Sequence, residues 1–182
     1  LLVLIKQVWK NIWRKRRVSK TNSTLLTHTS HPQEPVVVDK AVRTLDGTDL
    51  LVNNVGSSSV RTFDQVADDD WDKTMNPNLM SYVRITRASL PHLRASKNSP
   101  AIVNKASDLA RQPETLPLDY AASKTAVLAF TKRIARGESP HIPVNAVDPG
   151  PIWTPFWTEP GGFAELLKLF TRWIRRQPWN TR

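Results

Sequence analysis

The sequence predicts an α/β domain built on a parallel sheet, and three observations carry that expectation. Short apolar runs at 49–53, 101–104 and 144–147 each pass directly into polar residues or a Pro-Gly turn, as buried parallel strands entering loops do. Segments with apolar residues at helical spacing lie between them, at 78–96 and 120–136. Charge separates this body from its ends: of the net +10, residues 1–32 carry +7, residues 163–182 carry +4, and the stretch between carries −1. A near-neutral body gives no strong case for a nucleic-acid or membrane partner. At 182 residues the length suits one domain with a real core.

The elements follow in order. Residues 1–17, LLVLIKQVWKNIWRKRR, set Leu1, Leu4, Ile5, Val8, Trp9, Ile12 and Trp13 at helical spacing before a basic cluster. This basic amphipathic helix can lie on a membrane surface, bind polyanions or pack on the domain. Its apolar run is too short to span a bilayer. Residues 18–35 are rich in Ser, Thr, His and Pro and read as a linker, so 1–35 form one atypical segment. Val36–Val38 is a short strand candidate, and 40–45 a helical turn or two leading into Asp46-Gly47. The strand at 49–53 enters a loop at 57–63. Asp68, Asp69 and Asp70 start a helix, where carboxylates suit the free N–H groups, and Pro77 should break or kink it.

Past Pro77, Leu79, Val83, Ile85, Leu90 and Leu93 share one broad side of a helix over 78–96. The strand at 101–104 is followed by Lys105, which implies an exposed strand end or a perturbed site, because a buried unpaired ammonium is costly. Val127, Phe130 and Ile134 form the docking stripe of the helix 120–136, and residues 137–143 end it. After the strand 144–147, Pro149-Gly150 turns the chain at the end of the sheet where ligands bind in open α/β folds. Trp153, Phe156 and Trp157 read either as an aromatic wall for a substrate or as core. Residues 163–182 read as a basic amphipathic helix, a lid-like or packing element or a surface-binding tail.

The chemistry centres on Tyr120 and Lys124, one helical turn apart in Tyr120-Ala121-Ala122-Ser123-Lys124. A cation beside a phenol favours the phenolate and draws its pKa toward the range where it can move protons. Read alone, the pair fits a solvated helix face equally well. The chain has no Cys, which excludes a disulfide framework and a thiolate metal site, and four scattered His lack ligand spacing, so no catalytic metal is expected. A reducing cytoplasm is the expected location.

Around this pair stand Ser107, thirteen residues before Tyr120, then Asn53-Asn54-Val55-Gly56 and Asn78-Leu79 upstream, and Asn145-Ala146-Val147-Asp148-Pro149-Gly150 and Thr154 downstream. In this order and spacing the chain resembles the short-chain dehydrogenase/reductase family over about residues 36–162. The resemblance implies a hydride-transferring oxidoreductase using NAD or NADP on a small alcohol or carbonyl substrate. It assigns catalysis to Asn78, Ser107, Tyr120 and Lys124. Tyr120 is the implied general acid/base, Lys124 lowers its pKa and holds the nicotinamide ribose, Ser107 orients the substrate oxygen, and Asn78 supports a proton relay through water. It assigns cofactor binding to Asn53, Gly56, Tyr120, Lys124, Pro149, Gly150, Ile152 and Thr154, with Asn53 tying neighbouring strands together. From the residues alone, Ser107 reads as a turn cap and Asn78 as a helix cap.

The family's opening strand and glycine-rich phosphate turn are not found: the first glycine is Gly47. Its last strand is not found after Gly161-Gly162 either. The expected fold is therefore a Rossmann-like doubly wound parallel sheet truncated at both ends, with helical basic N- and C-terminal segments. An unpaired apolar edge is expected on the strand at 49–53. A non-catalytic remnant without a functional phosphate site is the alternative to the enzyme, and a membrane- or polyanion-binding protein acting through its basic ends is a weaker one. A homo-oligomer is compatible with all of these.

Overall fold

Three parallel strands form the frame: β3 (Leu50–Asn53), β4 (Ala101–Lys105) and β5 (Val144–Val147). They pair in order, with Asn53 opposite Asn104 and Asn104 opposite Ala146. The computed structural model describes residues 2–6, 22–26, 34–114, 116–151 and 164, 165 and 168. Two further strands, β1 (Leu2–Lys6) and β2 (Asn22–Leu26), complete a five-stranded sheet of order β2-β1-β3-β4-β5.

Strand β1 corrects the expectation of a helix from residue 1. It pairs antiparallel with β3, Leu2 opposite Asn53 and Ile5 opposite Leu50, and antiparallel with β2 on its other side. The physical reason is the edge of β3, whose unpaired N–H and C=O groups template a strand from any apolar β-branched run nearby. Leu2-Val3-Leu4-Ile5 is wholly apolar, with β-branched Val3 and Ile5, and pairing with that edge overrides the helical spacing of 1–17. The edge expected to be bare is thus paired. Residues 7–17, with Trp9, Ile12 and Trp13, lie outside the described residues.

Val36–Val38 is not a strand but part of helix α1 (Glu34–Leu45). Val38, Ala41 and Leu45 recur at helical spacing and are buried, so docking on the sheet overrides the β preference of three valines. Gly47, at φ 118°, ends α1 by returning its N–H to the Val42 carbonyl at 2.9 Å.

Helix α2 (Asp68–Met75) begins on its three aspartates as expected. Pro77 neither breaks nor sharply ends it. The backbone widens into a π-helical turn at Asn76–Met80, with the Ser81 N–H reaching the Asn76 carbonyl, and continues as α3 (Ser81–Ala95). Proline has no N–H for the carbonyl four residues back, and a wider turn accommodates its ring. Helix α4 (Leu118–Glu138) spans Tyr120 and Lys124.

Val38, Ala41, Leu45, Leu51, Ile85, Leu93, Ile102, Ile142 and Val144 form the main core, between α1, α3 and one face of the sheet, with Ile134 and Ala135 of α4 packed against it. A second cluster, Tyr82, Ala106, Ala110 and Val127, lies under the functional residues. The alternating residues Leu50, Val52, Ala101 and Val103 are only half-buried. Among the described residues, the core helices cover one face of the sheet. Ala164, Glu165 and Lys168 are helical; the remainder of 163–182, and Ile152, Trp153, Thr154, Phe156 and Trp157, lie outside the described residues.

Candidate active site

Two asparagines tie the sheet together beneath the site. Asn53 Nδ2 donates to Asn104 Oδ1 at 2.8 Å and to Thr86 Oγ1 of α3 at 3.1 Å. Asn104 Nδ2 in turn donates to Thr131 Oγ1 of α4 at 2.9 Å. Both asparagines are fully buried, so Asn53 acts by locking β3, β4, α3 and α4 in register rather than by touching a ligand. Asn104, Thr86 and Thr131 were not singled out by sequence reasoning; polar residues at the ends of two adjacent apolar strands were the available signal.

Above this lock the loop from β3 approaches the helices. A Cβ on Gly56 would meet Asn78 Oδ1 at 2.8 Å and Lys124 Nζ at 3.4 Å. Neither neighbour can yield freely. Asn78, fully buried in the π-helical turn, accepts from the Ser57 N–H at 3.2 Å and donates to the Ser57 and Thr74 carbonyls at 2.8 Å each. The π-helical turn around Pro77 thus places Asn78 against the loop. Its amide hydrogens hold the protein's own backbone, so its structural role is to fix the 56–57 turn beside Lys124.

Lys124 is 2 % exposed. Its Nζ donates to the Lys105 carbonyl at 3.1 Å and to the Tyr82 hydroxyl at 3.3 Å. The Tyr82 hydroxyl lies 2.9 Å from the Val55 carbonyl and 3.1 Å from that of Lys105, sharing its proton between them. The ammonium sits 4.9 Å from the centroid of the Tyr82 ring and 5.7 Å from that of Tyr120. Burial, reinforced by the nearby Lys105 cation, lowers the Lys124 pKa to about 7. Tyr82 was absent from the sequence reading, although it stands one turn after Asn78 on the same helix face. Burial and the neighbouring Tyr120 hold its phenol well above the ordinary range, so it serves as a hydrogen-bonding post.

Burial likewise pushes the Tyr120 phenol up from its ordinary value, the hydrogen bond with Ser107 draws it down, and the Asp108 carboxylate pushes it up again. The expected lowering by Lys124 is not what governs Tyr120 here. A lysine with a pKa near 7 has lost much of its charge at neutral pH, and the phenol's own desolvation is the larger effect. Ser107 is buried beside Tyr120. It caps the short turn Asp108–Ala110 by accepting from the Leu109 N–H at 3.3 Å, while its hydroxyl donates to Asp108 Oδ1 at 2.8 Å. Cap and site residue are therefore the same group. The Lys105 side chain is partly exposed, which resolves the expected conflict of a buried free ammonium.

The end of β5 closes the site. Pro149 accepts from the Asp108 N–H at 3.3 Å, Gly150 lies against Asp108, and Arg111 pairs with Asp148. On the opposite side, buried Asp119 fixes the start of α4. It accepts from Thr74 Oγ1 at 2.5 Å, from Arg61 at 3.3 Å and from the Tyr120 N–H at 3.0 Å. Arg61 also pairs with Asp70 at 3.3 Å, so the 54–67 loop is pinned to both α2 and α4. Asp119 and Arg61 carry no motif signal in the sequence.

The burial of Lys124 has a measurable consequence. Its folded pKa of about 7 lies below the ordinary 10.5, so between these values the unfolded chain holds the extra proton. Stability from this group is therefore lost as pH falls toward 7 and recovered as pH rises, at a slope of up to about 1.4 kcal/mol per unit. Chemical denaturation at a series of pH values should show this rise in the wild-type chain and its loss in Lys124→Met. Equal slopes in the two proteins would contradict the burial described.

The sequence model of the short chain dehydrogenase family matches residues 10–161. The chain is 35% identical over 126 residues to the uncharacterized oxidoreductase YvrD of Bacillus subtilis, covering 69% of this chain and 48% of that one. It is 35% identical over 121 residues to NADPH-dependent aldehyde reductase 1, chloroplastic, of Arabidopsis thaliana, covering 65% of this chain and 41% of the relative. A short chain dehydrogenase from Burkholderia cenocepacia, solved in complex with NADP, superposes with a TM-score of 0.60 at 34% identity, covering 64% of this chain and 47% of that one. The chain spans about half the length of the curated relatives it matches. With the Asn78, Ser107, Tyr120 and Lys124 geometry in place, these likenesses have one meaning: the chain belongs to the short chain dehydrogenase family.

Proposed function

We propose that the site performs proton transfer for hydride exchange between a nicotinamide cofactor and a carbonyl or alcohol carbon, favouring carbonyl reduction at neutral pH. The observation that carries this reading is a partly buried Tyr120, held in its protonated form by desolvation, beside the buried Ser107. The cofactor supplies or accepts the hydride when bound. The residues implied at the nicotinamide ribose end stand together: Gly56, having no side chain, lets the loop close on Asn78 and Lys124, and Lys124 Nζ lies 5.7 Å from the Tyr120 ring centroid. Lys124 and Tyr120 would hold the ribose there.

Ser107 turns its hydroxyl from Asp108 to the substrate oxygen, and Tyr120 delivers its proton to that same oxygen. In the opposite direction a deprotonated Tyr120 removes the alcohol proton, and its raised pKa makes oxidation climb toward alkaline pH. Lys124, through Tyr82 and the Lys105 carbonyl, keeps its position fixed while it exchanges a proton near neutrality. The similarity to an NADPH-dependent aldehyde reductase and to a family member solved with NADP supports an aldehyde or ketone as substrate and NADPH as one candidate cofactor. Assays of the full chain on a panel of aldehydes and ketones with NADH and NADPH test this. Reduction that is steady through neutral pH, with oxidation rising as pH is raised, is expected. Absence of turnover across the panel favours the non-catalytic alternative.

A further inference from the structure

We propose that Asp108 is a positioning residue of this site: its carboxylate competes for the single hydroxyl proton of Ser107 and thereby holds back alcohol oxidation relative to carbonyl reduction. The direction of the effect rests on the functional reading above, and the competition itself rests on the geometry around Ser107.

A serine hydroxyl has one proton to give and two lone pairs with which to receive. In Ser107 the proton goes to Asp108 Oδ1 at 2.8 Å, and the Leu109 N–H fills one lone pair at 3.3 Å. Tyr120 is its other hydrogen-bonding neighbour. While the Ser107 proton points at Asp108, Ser107 can only accept from Tyr120, which requires the protonated phenol. A Tyr120 phenolate, the form that takes the proton of an alcohol, gains a donor only if Ser107 turns away from the carboxylate. That turn breaks a charge-assisted bond, about twice as strong as its neutral counterpart.

Asp108 is held for this role. Its Oδ1 also accepts from the Leu109 N–H at 2.8 Å, its own N–H donates to the Pro149 carbonyl at 3.3 Å, and its carbonyl accepts from the Arg111 and Gln112 N–H groups at 2.9 and 3.0 Å. Its Oδ2 lies 3.5 Å from where a Cβ on Gly150 would stand. Arg111, the cation on the same turn, pairs with Asp148 and leaves Asp108 its charge. The other titratable groups around Tyr120 are Asp119 and Lys124 on α4, Tyr82 on α3 and Lys105 on β4, none of which a substitution at Asp108 removes. Because Asp108 is exposed, solvent screens its field at Tyr120, and the bond to Ser107 is the stronger route.

The chain has two tyrosines, so the ultraviolet absorbance of phenolate reads Tyr120 once the matching Tyr120→Phe chain is subtracted. The full chain is compared with its Asp108→Asn variant at the highest pH at which both remain folded by circular dichroism. The amide keeps an acceptor oxygen for Leu109 and Ser107 and removes the charge. Asp108→Asn is expected to raise the phenolate-to-phenol ratio of Tyr120 by at least about threefold, and to move the alkaline rise of alcohol oxidation to lower pH. In a Ser107→Ala chain the same substitution is expected to raise the ratio by less. A rise below about threefold with Ser107 present, or a rise as large without it, overturns the proposal. Absence of turnover in the wild-type chain defeats the functional reading alone, and the absorbance result decides the competition for Ser107 in either case.

Discussion

Replacing Tyr120 by Phe is expected to lower kcat for carbonyl reduction by about 10²- to 10⁴-fold, the usual contribution of a positioned general acid. The substitution removes one oxygen and keeps the ring whose centroid lies 5.7 Å from Lys124 Nζ, so α4 and the packing against it are unchanged. The loss should appear in kcat and kcat/KM together, marking an interaction made in the transition state. A Ser107→Ala control should leave Tyr120 without the hydrogen bond that draws its pKa down, moving the alkaline rise of alcohol oxidation to higher pH. A Tyr120→Phe enzyme with undiminished kcat would place proton delivery elsewhere and defeat the mechanism.

The second large effect is expected from a residue with no part in the chemistry. Asp119→Ala should destabilise the fold by about 3 kcal/mol, because it leaves two hydrogen-bonding groups without their acceptor. Asp119 is 1 % exposed and receives hydrogen bonds from Thr74, Arg61 and the Tyr120 N–H. Its removal leaves the buried Thr74 hydroxyl and a helix N–H without an acceptor, and each such group costs about 1–3 kcal/mol. Arg61 is less affected, since it is partly exposed and keeps Asp70. In a thermal melt the expected drop is about 6–12 °C for a domain of this size. Asp119→Asn, which keeps an acceptor oxygen, should lose less. A loss below about 1 kcal/mol for the alanine variant would mean that the three-way contact is not formed.

The frame of the fold was legible because β3, β4 and β5 are short apolar runs with abrupt polar ends, α3 has a broad apolar face, and α4 carries Val127, Phe130 and Ile134 at helical spacing. Tyr120, Lys124, Ser107 and Asn78 were legible through spacing, and the structure sets Asn78 and Lys124 against Gly56, and Tyr120 beside Lys124 and Ser107. The misreadings share a cause. Leu2–Ile5 opens a stretch with helical spacing and Val36–Val38 is too short to show a period, and in both the state is decided by distant partners: the free edge of β3 in one case and the sheet face in the other. Tyr82, Asn104 and Asp119 escaped notice because their roles exist only across elements. Asn104 needs Asn53 and Thr131, and Asp119 needs Thr74 and Arg61, contacts with no trace in local spacing.

The uninterrupted order of β3, β4 and β5 in the sheet has a consequence for how such a chain can change over generations. Each strand lies beside its immediate successor in the sequence, linked by a single helical crossover, and Asn53, Asn78, Tyr82, Ser107, Tyr120 and Lys124 all fall within that one unbroken stretch. The candidate acid/base centre therefore sits on one portable cassette. The strand on the far side of β3 meets it through backbone pairing, which is tolerant of direction. A lineage could exchange everything upstream of α1 and inherit the proton-handling machinery whole. The reversed β1 shows that the seam for such an exchange runs along the outer edge of β3.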